Sequence, residues 1–204
     1  MDRNHKIDSI INLEWKQFDQ VQNHGGRASC QDDWETFSIM RKSQYMAWTD
    51  ELLESYYKDL TEAEDKGWNL ITEKYARMME STAPEEYEVL KDKLPSRTVE
   101  RLALQEEIIK IQVRWVEEFA KKYPNVSGNG RNIYTEEDNL YNTSYETYLR
   151  GEIGIYSEKT IALYRQFIYN LQAEGKNLAQ CIIENTVKQY GYKDLDDTEK
   201  NLGA

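Results

Sequence analysis

Three charged side chains stand on helical stripes that are otherwise apolar. Glu14, Arg41 and Glu106 each have apolar residues three or four positions away on both sides, and Asn185 continues the apolar stripe of a later segment. Because an unpaired buried charge is costly, such groups must pair with one another or line a cavity. Two interpretations stay open: an internal Glu–Arg pair that fixes helix register, and a polar pocket in which facing side chains bind a ligand.

The stretch NHGGRASCQDD at positions 23–33 is either an anion site or only the corner between two helices. Its glycines permit a sharp turn, and its serine and aspartates are good helix N-caps, which explains a corner. The alternative is an anion cradle formed by Arg27 and the N–H groups of the next helix. Since the corner is short, we predict that Glu14 and Arg41, on the helices before and after it, face each other.

A second stretch, YPNVSGNGRNIYTEED at positions 123–138, repeats the glycines, the arginine and the capped helix start. If the helices alternate in direction, both stretches lie at one end of the bundle. Arg27 and Arg131 would then clamp a phosphate or a carboxylate. Residues 123–135 would form a mobile loop with its glycines as the hinge. The alternative is two unrelated corners.

Tyrosines at helical spacing mark the stretch NLYNTSYETYLRGEIGIY, in which Glu146 and Arg150 form an i,i+4 pair. Aromatic rings beside acids can bind a cation or stack on a sugar or base, but tyrosine stripes are also ordinary amphipathic packing. No catalytic residue can be assigned. The candidate ligand-binding residues are Glu14, Arg27, Arg41, Arg131, Tyr148, Arg150 and Asn185.

Histidine and cysteine are too scarce for the common metal sites. Neither His5 nor His24 follows a glutamate at di-iron spacing, and no Cys/His cluster has zinc spacing. We therefore predict no metal and no cofactor, although a magnesium site made only of carboxylates stays open. Cys30 beside His24 is a candidate nucleophile, but a small residue under the corner is the simpler interpretation. Cys30 and Cys181 are predicted to be reduced thiols.

The overall charge argues against two classes of partner. The formal net charge is -11, which repels phosphate backbones and anionic lipid surfaces. No apolar run reaches membrane-spanning length, mean hydropathy is -0.85, and the N-terminus lacks the apolar core of a secretory signal. We predict a cytoplasmic protein that binds neither nucleic acid nor membrane.

Helical spacing of apolar residues runs through most of the 204 residues, and the three prolines fall at predicted helix boundaries. We predict an all-α fold, a compact multi-helix bundle of about eight helices in a single domain, 1–204. The fifth helix is apolar around much of its circumference, which predicts a long central helix. The predicted helices lie at about 7–21, 33–61, 68–80, after 84, 98–121, from 135, 157–173 and 177–190.

Several stretches in a fixed order are similar to one known family. They are NLEW, GGRASCQDD, MRKSQY, EKYARMM, TSYETYLRGEIGIYS and ENTVKQYGY. The chain resembles, over its whole length, the bacterial family called domain of unknown function 4125. The resemblance implies an intact bacterial cytoplasmic domain of a family in which some members stand beside nucleotidyltransferase-type domains. It implies no reaction, no cofactor and no catalytic residue.

Three functional hypotheses follow from these residues. The first is a bundle that binds a small polar or anionic ligand and has no chemistry of its own. The second is an enzyme that uses carboxylate and arginine groups for acid–base or metal-assisted chemistry. The third is a protein-interaction module for a nucleotidyltransferase-like partner. We favour the first, and a homo-oligomer stays open.

Overall fold

All regular secondary structure is helical in the computed structural model, which describes residues 2–22, 26–128, 130–139 and 141–203. Short 3-10 helices lie at Ser29–Asp32, Lys91–Lys93 and Thr135–Glu137. The eleven α-helices in the described ranges are α1 (Arg3–Asp19), α2 (Trp34–Met46), α3 (Asp50–Asp65), α4 (Leu70–Thr82), α5 (Pro84–Leu90), α6 (Val99–Lys122), α7 (Pro124–Ser127), α8 (Tyr145–Gly154), α9 (Glu158–Ala173), α10 (Leu178–Gln189) and α11 (Leu195–Leu202).

The all-α prediction is confirmed, but the predicted number of about eight helices is wrong. The predicted second helix is two helices, because the chain turns at Trp48 and begins again with Thr49 as N-cap of α3. Trp48 is buried, so the turn places its indole ring in the core against Tyr45 and Tyr56. The four-residue α7 and the C-terminal α11 were not predicted.

The predicted long central fifth helix is also wrong. The fifth helix is the seven-residue α5, and the long helix, with 24 residues, is α6. The main contacts of α6 are with α7–α10, in the second half of the chain. The helix predicted to begin at Thr135 is only a three-residue 3-10 helix, and α8 begins after the N-cap Ser144.

Side-chain caps explain where most of the long helices begin. In each case a short polar side chain accepts a hydrogen bond from a free backbone N–H in the first turn. These N-caps are Asp2, Asp33, Thr49, Asn69, Thr98, Ser144, Ser157, Asn177 and Asp194. None of the helices in the described ranges combines the length and the apolar character needed to cross a membrane.

The principal core brings together apolar faces of α1, α3, α6, α8 and α9. Fully buried members include Ile10, Leu53, Ile108, Ile153 and Ile168. A smaller cluster joins the end of α6 to α10 and α11. Burial of this apolar surface supplies the main driving force for folding.

Two glycines let α8 approach α4 closely. A Cβ atom added at Gly151 would lie 2.6 Å from Cγ of Met78 and 3.0 Å from the carbonyl oxygen of Lys74. One added at Gly154 would lie 2.9 Å from Cδ of Arg77. The charged side chains of α4 are therefore packed directly against α8.

Candidate functional site

The carboxylate of Glu14 in α1 is fully buried, and both of its oxygens accept hydrogen bonds from this chain. Its Oε2 accepts from Nε of Arg41 at 2.7 Å. Its Oε1 accepts from Nη2 of Arg41 at 2.5 Å and from the hydroxyls of Tyr45 and Tyr56 at 2.7 and 2.8 Å. The predicted contact between Glu14 and Arg41 is confirmed, and a role of either residue in ligand binding stays a prediction.

Glu152 of α8 completes this central network. Nη1 of Arg41 donates to both of its oxygens at 3.1 and 3.2 Å, Nε2 of Gln44 donates at 2.6 Å, and Nζ of Lys74 donates at 2.7 Å. Two acids thus face two bases, and the formal charges cancel. Burial raises the pKa of Glu152, but the charges of Arg41 and Lys74 outweigh it and hold that pKa well below its usual range.

Tyr148 lies at the outer end of the network. Nζ of Lys74 and Cζ of Arg131 lie 4.3 and 4.5 Å from the centre of its ring, which is cation–π geometry. Its hydroxyl is 2.8 Å from that of Tyr75. Burial raises the pKa of Tyr75, and the neighbouring hydroxyl of Tyr148 raises it further. Arg131 of the second glycine-containing stretch thus packs on Tyr148.

Arg27 is already neutralised by two acids of its own loop region. Its Nη2 donates to Asp19 at 2.6 Å, and its Nε donates to Asp32 at 2.8 Å. An anion clamp shared with the second loop stays a prediction. His24, the histidine near the candidate nucleophile Cys30, and Asn129, between the two hinge glycines, lie outside the described residues.

The last two predicted residues, Arg150 and Asn185, make separate contacts within the chain. Arg150 donates to Glu106 through Nε and Nη2 at 2.8 and 3.0 Å, and to Glu146 at 2.8 Å. Asn185 donates to the carbonyl oxygen of Ser43 at 3.0 Å and ties α10 to α2. The seven predicted residues thus form two groups, Glu14 with Arg41 and Arg131 with Tyr148, while Arg27, Arg150 and Asn185 have their own partners.

Two buried charged residues of α4, Glu73 and Arg77, form a second ion pair that the sequence analysis missed. Oε1 of Glu73 accepts from Nε and Nη2 of Arg77 at 2.8 and 2.6 Å, and Oε2 accepts from the indole of Trp68 at 2.6 Å. Nη2 of Arg77 also donates to the carbonyl oxygen of Pro95 at 2.8 Å. Within the described ranges, Nη1 of Arg77 donates to no group.

Arg97 stands beside Arg77 and forms no ion pair within the described ranges, although the charge of Glu80 also acts on it. Its Nη1 donates to Gln105 at 3.1 Å. A Cβ atom at Gly154 would lie 3.0 Å from Nη1 of Arg97 and 3.7 Å from Nε of Arg77, so the two guanidinium groups are close. Burial and the charge of Arg77 lower the pKa of Arg97. Arg101, by contrast, donates to two backbone carbonyls at the end of α8.

A surface groove with a volume of about 340 Å³ opens beside these two arginines. Its lining contains the apolar residues Tyr87, Leu94, Pro95 and Leu102 and the polar residues Arg77, Lys91, Asp92, Ser96 and Arg97. A second groove, of about 210 Å³, contains Lys16, but that lysine is ion-paired with Glu64. Of these two grooves, the first therefore has cationic donors free to bind a ligand.

The thiols of Cys30 and Cys181 are both free, and the predicted cellular compartment stays a prediction. Cys30 is exposed, whereas burial raises the pKa of Cys181. Across the described ranges, no three histidine, cysteine or acidic side chains are grouped as they are in a metal site.

Comparison with known families gives one match. A family model described as "Protein of unknown function (DUF4125)" matches residues 4–200, a span that includes all or nearly all of every helix described above. The curated proteins and the solved structures give no match.

Proposed function

Since the chain belongs to the DUF4125 family, whose description assigns no activity, we propose from the geometry that this protein binds a small anionic ligand in the groove beside Arg77 and Arg97. The observation that carries this proposal is the guanidinium of Arg97, which lines the groove, lies next to a second arginine and has no acidic partner among the described residues. An anion in the groove would form the direct ion pair that Arg97 lacks within the described ranges.

Arg97 is half-buried, whereas Arg114 and Arg131, which also form no ion pair within the described ranges, are exposed. The formal net charge is -11, and most arginines and lysines are paired with acids of the chain, as Arg27 and Arg150 are. A guanidinium that is partly buried and still lacks an ion pair is costly, which indicates a use for its donors. Arginine suits this use because its planar N–H groups match the two oxygens of a carboxylate or phosphate.

The central network of Glu14, Arg41 and Glu152 acts as the scaffold of this groove. Lys74, which is bound to Glu152, lies one turn before Arg77 on α4, and Gly154 follows Glu152 on α8. The network thus fixes the two helices whose contact positions Arg77. In this proposal Glu14 and Arg41 support the ligand site from behind and do not contact the ligand.

Binding without chemistry fits the groove better than catalysis. Lys91, the one amine among the lining residues, is ion-paired with Glu88 at 2.6 Å instead of activating Ser96. The acidic composition and the free thiols support a cytoplasmic location without a nucleic-acid partner.

Calorimetric titration with acetate, benzoate and inorganic phosphate at low ionic strength tests the proposal. We expect at least one anion to bind the parent protein with a single site and to bind Arg97→Gln at least tenfold more weakly. Arg114→Gln is the matched control, because Arg114 is exposed on α6, about 18 Å along the helix from Leu102. Equal affinity of the parent and Arg97→Gln for every anion would overturn the proposal.

A further inference from the structure

The cationic side of the groove matches the geometry of a carboxylate. Nε and Nη2 of Arg97 donate to no group in the described ranges, since only Nη1 is occupied, by Gln105. These two N–H groups lie on one edge of the guanidinium and point in parallel, which is the arrangement that binds both oxygens of a carboxylate. Arg77, a second lining residue, adds positive charge beside Arg97.

The groove also contains one acid, Asp92, and this acid restricts the ligand. Asp92 is exposed and forms no ion pair within the described part of the chain, while its neighbour Lys91 is bound to Glu88. A carboxylate at this position repels a dianion such as phosphate. The same carboxylate attracts an ammonium group. A groove lined by both positive and negative side chains therefore favours a ligand that carries both charges.

The apolar lining residues and the size of the groove indicate the uncharged part of the ligand and its size. Leu94, Pro95 and Tyr87 line the groove, and Leu102 is 40% exposed, so its side chain has surface left to be covered. A volume of about 340 Å³ is at the lower end of the range for small-molecule sites, about 300–1,000 Å³. This size favours a ligand of amino-acid dimensions over a nucleotide cofactor.

We infer that the groove binds a free α-amino acid with an apolar side chain. Its carboxylate binds the Nε and Nη2 edge of Arg97, its ammonium group binds Asp92, and its side chain packs against Leu94 and Leu102. This inference rests on the proposed anion binding and specifies the ligand class. The three contacts need a cation, an acid and apolar side chains, and the lining of this groove contains all three.

Titration with L-phenylalanine and two analogues that each lack one charge tests the inference. 3-Phenylpropionate lacks the ammonium group, and 2-phenylethylamine lacks the carboxylate. We expect L-phenylalanine to bind the parent at least tenfold more tightly than either analogue and more tightly than inorganic phosphate. Asp92→Asn should reduce the affinity for L-phenylalanine to that for 3-phenylpropionate, whereas Asp8→Asn, at an exposed position on α1, should change neither.

The outcomes separate this inference from the proposed function. If 3-phenylpropionate or phosphate binds as tightly as L-phenylalanine, or if Asp92→Asn changes nothing, the amino-acid inference is wrong and anion binding stands. If none of the anions binds, both fail. Arg97→Gln should abolish binding of L-phenylalanine and of 3-phenylpropionate, with an unchanged helical circular dichroism spectrum showing that the variant is folded.

Discussion

Replacing Glu14 by glutamine tests whether the central network is a buried ion-pair system. The substitution keeps the size of the side chain and removes its charge. A glutamine oxygen can still accept from the hydroxyls of Tyr45 and Tyr56. Its NH₂ group, however, would face Nε or Nη2 of Arg41, so two donors would meet where a donor and an acceptor met before.

The expected cost follows from the surroundings of Arg41. Removing one partner of a buried ion pair typically costs about 3–5 kcal/mol, because a buried charge is left uncompensated. Arg41 keeps Glu152 at 3.1 and 3.2 Å, so we expect Glu14→Gln to lower the free energy of unfolding by about 3 kcal/mol, near the lower limit. For a chain of this size, that loss corresponds to a decrease in Tm of about 6–12 °C.

Urea unfolding followed by circular dichroism measures this loss. For a single domain we expect one cooperative transition for the parent and for each variant. The double variant Glu14→Gln/Arg41→Gln should lose less stability than the two single variants together. The sum of the two single losses in free energy of unfolding should exceed the loss of the double variant by at least about 1 kcal/mol, because both substitutions remove the same contact. Glu184→Gln, which breaks the exposed pair with Lys188, is the control and should cost less than about 1 kcal/mol. Additive losses below about half a kcal/mol would refute the reasoning.

Two further predictions concern the same packing. Because the pKa of Glu152 is held below its unfolded value, the stability from this group is present above about pH 4.5 and is lost as the pH falls below it. Urea unfolding at several pH values should therefore show that the free energy of unfolding falls less towards low pH in Glu152→Gln than in the parent. Parallel plots of this free energy against pH for the two proteins would contradict the prediction. Gly151→Ala should lower Tm through a loss of about 1–3 kcal/mol, because the added Cβ meets Met78 and the backbone of Lys74. An unchanged melting curve would show that α4 and α8 separate without cost.

The sequence predicts the helical class well because apolar spacing depends only on local periodicity. Helix boundaries are harder to predict where a local signal and tertiary packing compete. The apolar stripe continues across Trp48, so the predicted second helix is too long. In the structure α2 ends at Met46, and the turn that follows places the indole of Trp48 in the core. The acids after Thr135 are typical of a helix start, but the chain forms only a three-residue 3-10 helix there. The backbone N–H of Thr135 donates to Glu146, which ties this segment to α8.

The interior part of the site is predictable, and the groove is not. Glu14 and Arg41 interrupt apolar stripes, so their burial and pairing follow from spacing. Glu73 and Arg77 obey the same rule, since they lie at three- and four-residue steps with Leu70, and this signal could have identified them. Arg97 lies between α5 and α6 on no stripe. Its position beside α4 depends on how these helices pack, which local periodicity does not contain.

The most direct test of anion binding in the groove is the ¹H–¹⁵N NMR spectrum of the arginine Nε–H groups during titration with 3-phenylpropionate. The signal of Arg97 is assigned by its disappearance in Arg97→Gln. We predict that this signal shifts and saturates as the anion binds, while that of exposed Arg114 does not move. An Arg97 signal that stays in place throughout the titration would contradict the account.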